Sequence, residues 1–67
     1  MTIVGEVNYA YQIMADGQIY EVANTATGDE LVIHYIAEKV EVTGTVKEIR
    51  EMKIFTVTSF KVVLKYK

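Results

Sequence analysis

The chain contains no cysteine, no proline and no tryptophan, and only two leucines among its 67 residues. Without cysteine there is no disulfide, no thiolate nucleophile and no zinc ribbon, so packing and hydrogen bonds alone must hold a fold of this size. Without proline, no strand edge is blunted by a missing backbone donor. The shortage of leucine argues against a helical bundle. Val, Ile and Thr together supply 24 residues, and β-branched side chains suit a pleated strand better than a helix. No apolar run approaches the length of a membrane span. The segment after Met1 lacks the basic start of a secretory signal and carries Gly5, Glu6 and Asn8 instead.

What is present is the composition of an ordinary folded domain, 51% apolar and 24% charged, which argues against intrinsic disorder. The length allows one domain, residues 1–67. A chain this short buries only about 60% of its unfolded surface, so its stability is modest unless self-association adds buried area. The net charge of −2 conceals a division. Residues 1–38 carry six acids (Glu6, Asp16, Glu21, Asp29, Glu30, Glu38) and no Lys or Arg. Residues 39–67 carry seven bases (Lys39, Lys47, Arg50, Lys53, Lys61, Lys65, Lys67) against three acids (Glu41, Glu48, Glu51). The two parts attract each other across the fold, or lysines guard exposed strand edges, or the second part presents a basic binding face.

From Thr2 to Met14 apolar and polar residues alternate, with Ile3, Val7, Tyr9, Tyr11 and Ile13 on one parity, which predicts one long strand. Asp16-Gly17 is a hairpin turn leading into a second strand from Gln18 to Ala23. Thr27-Gly28-Asp29-Glu30 has the form of a capping box and predicts a short helix. In that helix Leu31 with Tyr35, and Val32 with Ile36, would face a sheet, while Glu30, His34 and Glu38 sit nearer water. The alternative is that Leu31 to Ile36 is extended, because Val32, Ile33 and Ile36 are poor helix formers. Lys39 to Ile49 alternates cleanly as a strand. After the polar break at Arg50-Glu51-Met52, a last strand runs from Lys53 to Tyr66. Its apolar parity changes: Phe55 and Val57 are odd, whereas Phe60, Val62 and Leu64 are even. One extra residue near Thr58-Ser59, a β-bulge, would bring all five to the same core.

A strand hairpin, a short capped helix and a long curved hairpin thus follow one another. The carrying stretches are Asp16-Gly17-Gln18-Ile19-Tyr20-Glu21-Val22, then Glu30-Leu31 to Ile36, and above all the valine-threonine-glycine strand Lys39-Val40-Glu41-Val42-Thr43-Gly44-Thr45-Val46-Lys47-Glu48. Over roughly residues 15 to 64 this order resembles the small bacterial OB-fold-like domains, the oligonucleotide/oligosaccharide-binding barrels in which a helix sits between the third and fourth strands. Gly44 matches a glycine that lets the strand curl. Four strands are counted, and a fifth arises if the first strand bends into two or if Leu31 to Ile36 is extended. The expected architecture is mainly β: a small OB-like curved sheet or partly open barrel of four to five strands with one short helix. The resemblance implies ligand binding on the face of the second and third strands and the nearby loops, and it carries over no catalytic residue.

The residues offer little chemistry. The sole histidine, His34, has no base or nucleophile partner that the sequence identifies. Glu30, His34 and Glu38 share a spacing that suits a metal, but a solvated polar helix face explains them as well. No phosphate-cradling glycine loop and no other cofactor motif occurs. Tyr9, Tyr11, Phe55 and Phe60 lie on the apolar parity of their strands and read as core. Tyr20 is the best candidate for an exposed aromatic, so the candidate binding surface comprises Tyr20, Lys47, Arg50, Lys53 and Lys61. The expected function is a non-catalytic binding or assembly module without cofactor or membrane, contacting a protein, a small ligand or a second copy of itself. The alternative is weak, electrostatic binding of single-stranded nucleic acid, disfavoured by the acidic first part.

Overall fold

The computed structural model describes residues 1–63. In chain order it contains β1 (Thr2–Asn8), β2 (Gln12–Ala15), β3 (Gln18–Val22), α1 (Ala26–His34), β4 (Lys39–Ile49) and β5 (Met52–Val62). The five strands close into a barrel in the order β1-β2-β3-β5-β4, with β4 returning to β1. All neighbours are antiparallel except β3 and β5, which run parallel over Tyr20–Val22 and Lys53–Phe55. The molecule is therefore a small, mainly-β domain with one short helix, of generic OB-like form, and the barrel is closed rather than partly open. Among the described residues no helix is long and apolar enough to cross a membrane.

The fifth strand comes from the alternating run at the start of the chain, which is two strands and not one. Asn8 breaks it: its Oδ1 accepts from the backbone N–H groups of Ala10 at 2.9 Å and Gln12 at 3.2 Å. This local side-chain turn competes with the ladder, and Tyr11 takes a left-handed conformation with φ 66°. Tyr9, expected in the core, is thrown outward and is 87% exposed. Tyr11 stays half-buried against the core.

Two hairpin turns share one geometry. Asp16 and Gly17, between the paired residues Ala15 and Gln18, have φ of 53° and 73°. Arg50 and Glu51, between Ile49 and Met52, have φ of 51° and 68°. Two central residues at positive φ define the type I′ turn, whose twist matches that of the strands. Asp-Gly suits it; Arg-Glu does not, since a Cβ in the left-handed region is crowded by the following carbonyl. Replacing Arg50-Glu51 by Asn-Gly is expected to stabilise the fold by about 1 kcal/mol. Thermal unfolding would then shift upward by roughly 4–8 °C. An unchanged or lowered midpoint would show that these two side chains contribute elsewhere.

The helix forms where expected, but its cap differs. Thr25, not Thr27, is the N-cap, with extended backbone and Oγ1 accepting from Gly28 N at 3.1 Å. The helix therefore starts at Ala26, two residues early. The reason lies in packing: Gly28 is buried against the end of β3, where a Cβ would stand 2.6 Å from the Ala23 carbonyl oxygen and 3.0 Å from Val22 Cγ1. Only glycine fits there, and with it in the first turn Leu31 and Val32 reach the core. Tyr35 packs partly against the core and lies edge-on to Phe60, but Ile36, assigned to the same stripe, is exposed. Glu38 lies beyond the helix. Thr25→Ala is expected to lower stability by about 1 kcal/mol and Thr27→Ala by less. Equal losses in urea unfolding would contradict this assignment of the cap.

β4 and β5 pair along their whole lengths, with one shift: Thr43 faces Ser59 while Gly44 faces Val57, leaving Thr58 as the extra residue. This is the bulge expected near Thr58-Ser59. Phe55 and Val57 are buried before it; Phe60 and Val62 turn inward after it and pack partly on the core; Leu64 lies outside the described residues. The core is built from one parity of β1 to β4 and from both parities of β5, which switches at the bulge, and Leu31 and Val32 of α1 cap it.

Candidate interaction surface

Each outward-facing residue of a barrel strand has a register partner on the next strand, so the outer surface divides into rows. One row is polar. Asn8 pairs with Gln12 and Gln12 with Glu21. Their side chains form a chain of hydrogen bonds: Asn8 Nδ2 donates to Gln12 Oε1 at 3.1 Å, and Gln12 Nε2 donates to Glu21 Oε2 at 2.9 Å. The row continues through Ile54, paired with Glu21, to Lys47, paired with Ile54.

The neighbouring row is apolar and open to solvent. Met14 pairs with Ile19 across the β2–β3 hairpin, and Met52 lies one position before Lys53, the parallel partner of Tyr20. Met14 and Ile19 are each 50% exposed, and Met52 is 46% exposed. Ile49, paired with Met52, continues the row onto β4. A shallow depression of about 390 Å³ lies along this surface. Gln12, Gln18, Ile19 and Glu21 line it from β2 and β3, and Glu51, Met52 and Lys53 line it from the β4–β5 hairpin.

The five residues selected from sequence do not form one site. Tyr20 is only 7% exposed; its ring lies edge-on to Phe55 at a centroid distance of 5.9 Å, inside the barrel. Its proposed exposure is thus corrected, and the reason is register. A two-residue turn at Asp16-Gly17 sets Tyr20 opposite Ile13, and a buried Ile13 carries Tyr20 inward with it. Lys47, Arg50 and Lys53 do gather at the β4–β5 hairpin tip. Lys53 is half-buried and faces Glu48 in register, while Lys47 and Arg50 are exposed. Lys61 stands apart, eight positions further along β5, roughly 27 Å of extended strand, with its Nζ 3.9 Å from Glu41. It lines a separate depression of about 250 Å³ with Glu41, Thr43, Ser59 and Phe60 beside the bulge.

Sequence reasoning missed Met14, Ile19 and Met52. The signal was available: the same turn that buries Tyr20 must turn Met14 and Ile19 to the outside. On the helix, His34 is exposed and edge-on to Tyr35. Among the described residues no group of three His, Asp or Glu side chains is placed to hold a metal ion. No protein-family model matches the sequence, and comparison with curated proteins and with solved structures gives no significant match.

Proposed function

We propose that the chain is an OB-type barrel serving as a non-catalytic binding or assembly module, and that it contacts another polypeptide through the outer surface of β2, β3 and the start of β5. The helix between the third and fourth strands supports the OB assignment. In that fold the face of strands 2 and 3, with the β1–β2 and β4–β5 loops, is the usual ligand surface. The observation that carries the reading is the row Met14–Ile19–Met52. Three large apolar side chains, about half exposed and side by side, are costly to leave in water and suit the dry centre of a protein contact. The polar row beside them, already hydrogen-bonded, supplies a rigid rim.

The basic hairpin tip formed by Lys47, Arg50 and Lys53 supports a second reading, weak and salt-sensitive contact with a single-stranded nucleic acid. That reading has less to rest on, since Tyr20 is turned inward and offers no base a stacking platform. Photo-crosslinking in cells separates the two. A photoreactive residue at Ile19 or Met52 is expected to give protease-sensitive adducts, and one at the exposed helix residue Ala26 none. Nuclease-sensitive adducts, or none at either of the first two positions, would overturn the polypeptide reading.

A further inference from the structure

We infer that the polypeptide seated on this surface is a second copy of the same chain, related by a twofold axis. The inference rests on the reading of Met14, Ile19 and Met52 as a protein contact and adds the partner. Its basis is the distribution of charge about the apolar row. On the β2–β3 side stand Glu21 and Asp16, with Glu6 of β1 opposite Met14 in register. On the β4–β5 side stand Lys47 and Arg50, both exposed, with Lys53 facing Glu48 in register and Glu51 beside Arg50 in the turn, which leaves that tip net positive. Among the described residues none of these side chains makes an ion pair within the chain; the ion pair there is Lys61 with Glu41, at the other end of β5.

An apolar row with net negative charge on one side and net positive charge on the other is complementary to itself when turned by half a revolution. The operation that lays Met52 of one copy on Met52 of the other, and Ile19 on Ile49, also carries Lys47 and Arg50 of each over the acidic hairpin of its partner. This is the isologous arrangement of a closed dimer, in which each contact occurs twice. Lys47 and Glu21 are the natural pair, lying on the same outer row with only Ile54 between them in register. The twofold exchanges the strands on which they stand. A charge pair at the rim sets register and orientation, while the apolar row contributes the attraction. A barrel this small also gains most from a partner, because so much of its apolar surface stays wet when it is alone.

Sedimentation velocity on the purified chain, taken to concentrations of roughly hundreds of micromolar, tests the inference directly. A dimer is expected. Ile19→Asp should abolish it, while far-ultraviolet dichroism matching that of the parent, and a thermal midpoint equal to the parent's at dilutions where the parent is monomeric, show that the barrel is intact. Lys47→Glu alone and Glu21→Lys alone should each weaken association by roughly tenfold. The double variant Glu21→Lys/Lys47→Glu should recover most of the loss. A chain that remains monomeric, a dimer indifferent to Ile19→Asp, or a double variant no better than the singles would overturn the twofold dimer. Adducts at Ile19 whose mass exceeds the chain by something other than a second chain would, in the crosslinking experiment, leave the protein-contact reading standing while refuting this one.

Discussion

Gly44→Ala is expected to lower the stability of the fold by about 3 kcal/mol or more. Gly44 is buried at the register shift of the long hairpin, opposite Val57. A Cβ at this position would overlap the backbone carbonyl oxygen of Thr56 and come within 2.8 Å of Phe55 Cε1 and 2.9 Å of the Thr56 carbonyl carbon. Two of these atoms belong to backbone that β4 holds in register, so relief requires the bulge to open rather than a side chain to swing. Overpacking a tight core typically costs 1–3 kcal/mol, and a clash with backbone belongs at or above the top of that range, about 3 kcal/mol. At roughly 0.05–0.15 kcal/mol per residue the whole fold is worth about 3–10 kcal/mol, so the loss takes between a third and nearly all of it. Thr45→Ala, at the exposed next position, should stay within about 0.5 kcal/mol of the parent. Comparable far-ultraviolet dichroism and unfolding midpoints for the two variants would show that the hairpin closes without needing the missing side chain.

Phe55→Ala is the second large effect, an expected loss of about 3–5 kcal/mol. Phe55 is fully buried and stands where the two parts of the barrel meet, paired in register with Val22 of β3 and with Val46 of β4. Its ring meets Tyr20 edge-on, and its carbonyl oxygen accepts from Ala23 N at 2.8 Å. Truncation leaves a cavity that the closed barrel cannot collapse into, so the loss exceeds the transfer free energy of the ring alone. Phe55→Leu should recover a large part of it. A loss below about 1 kcal/mol for the alanine variant in urea unfolding would mean that the barrel closes around something other than this ring.

Where sequence reading succeeded, a local rule and the tertiary structure agreed. Lys39–Ile49 has the predicted bounds because its alternation, its flanking turns and its β-branched content all point the same way. The bulge at Thr58 was legible because a strand buried on one face can keep its apolar residues inward across a parity change only by inserting an unpaired residue. The failures came where two local signals competed. Thr25 and Thr27 are both acceptable caps, and the choice was made by the tight contact between Gly28 and β3, a tertiary fact that no capping motif contains. Alternation continued through Tyr9 and Tyr11, yet one Asn8 side chain drew two backbone donors away from the ladder. The candidate surface was half legible. Lys47, Arg50 and Lys53 fall on one hairpin tip, but Tyr20, expected to be exposed, is set opposite the buried Ile13 by the register of the Asp16-Gly17 turn.

The parallel seam between β3 and β5 has a consequence in time. The β2–β3 and β4–β5 hairpins are local structures, each joined by a two-residue turn, and such pairs form in microseconds. They are united on one side through β1, which pairs with β4 over five register pairs, and on the other by the parallel seam, which has only three, Tyr20 with Lys53, Glu21 with Ile54 and Val22 with Phe55, between residues far apart in the chain. Closing that long loop must precede most of the contacts that offset its entropy cost, so the slow step of folding lies in bringing two finished hairpins together. The same seam is the place where the native barrel opens with least disruption. A brief parting there would uncover Tyr20 and Phe55 while both hairpins remain paired, and the molecule would breathe as a hinged pair of ribbons rather than unravel from one end.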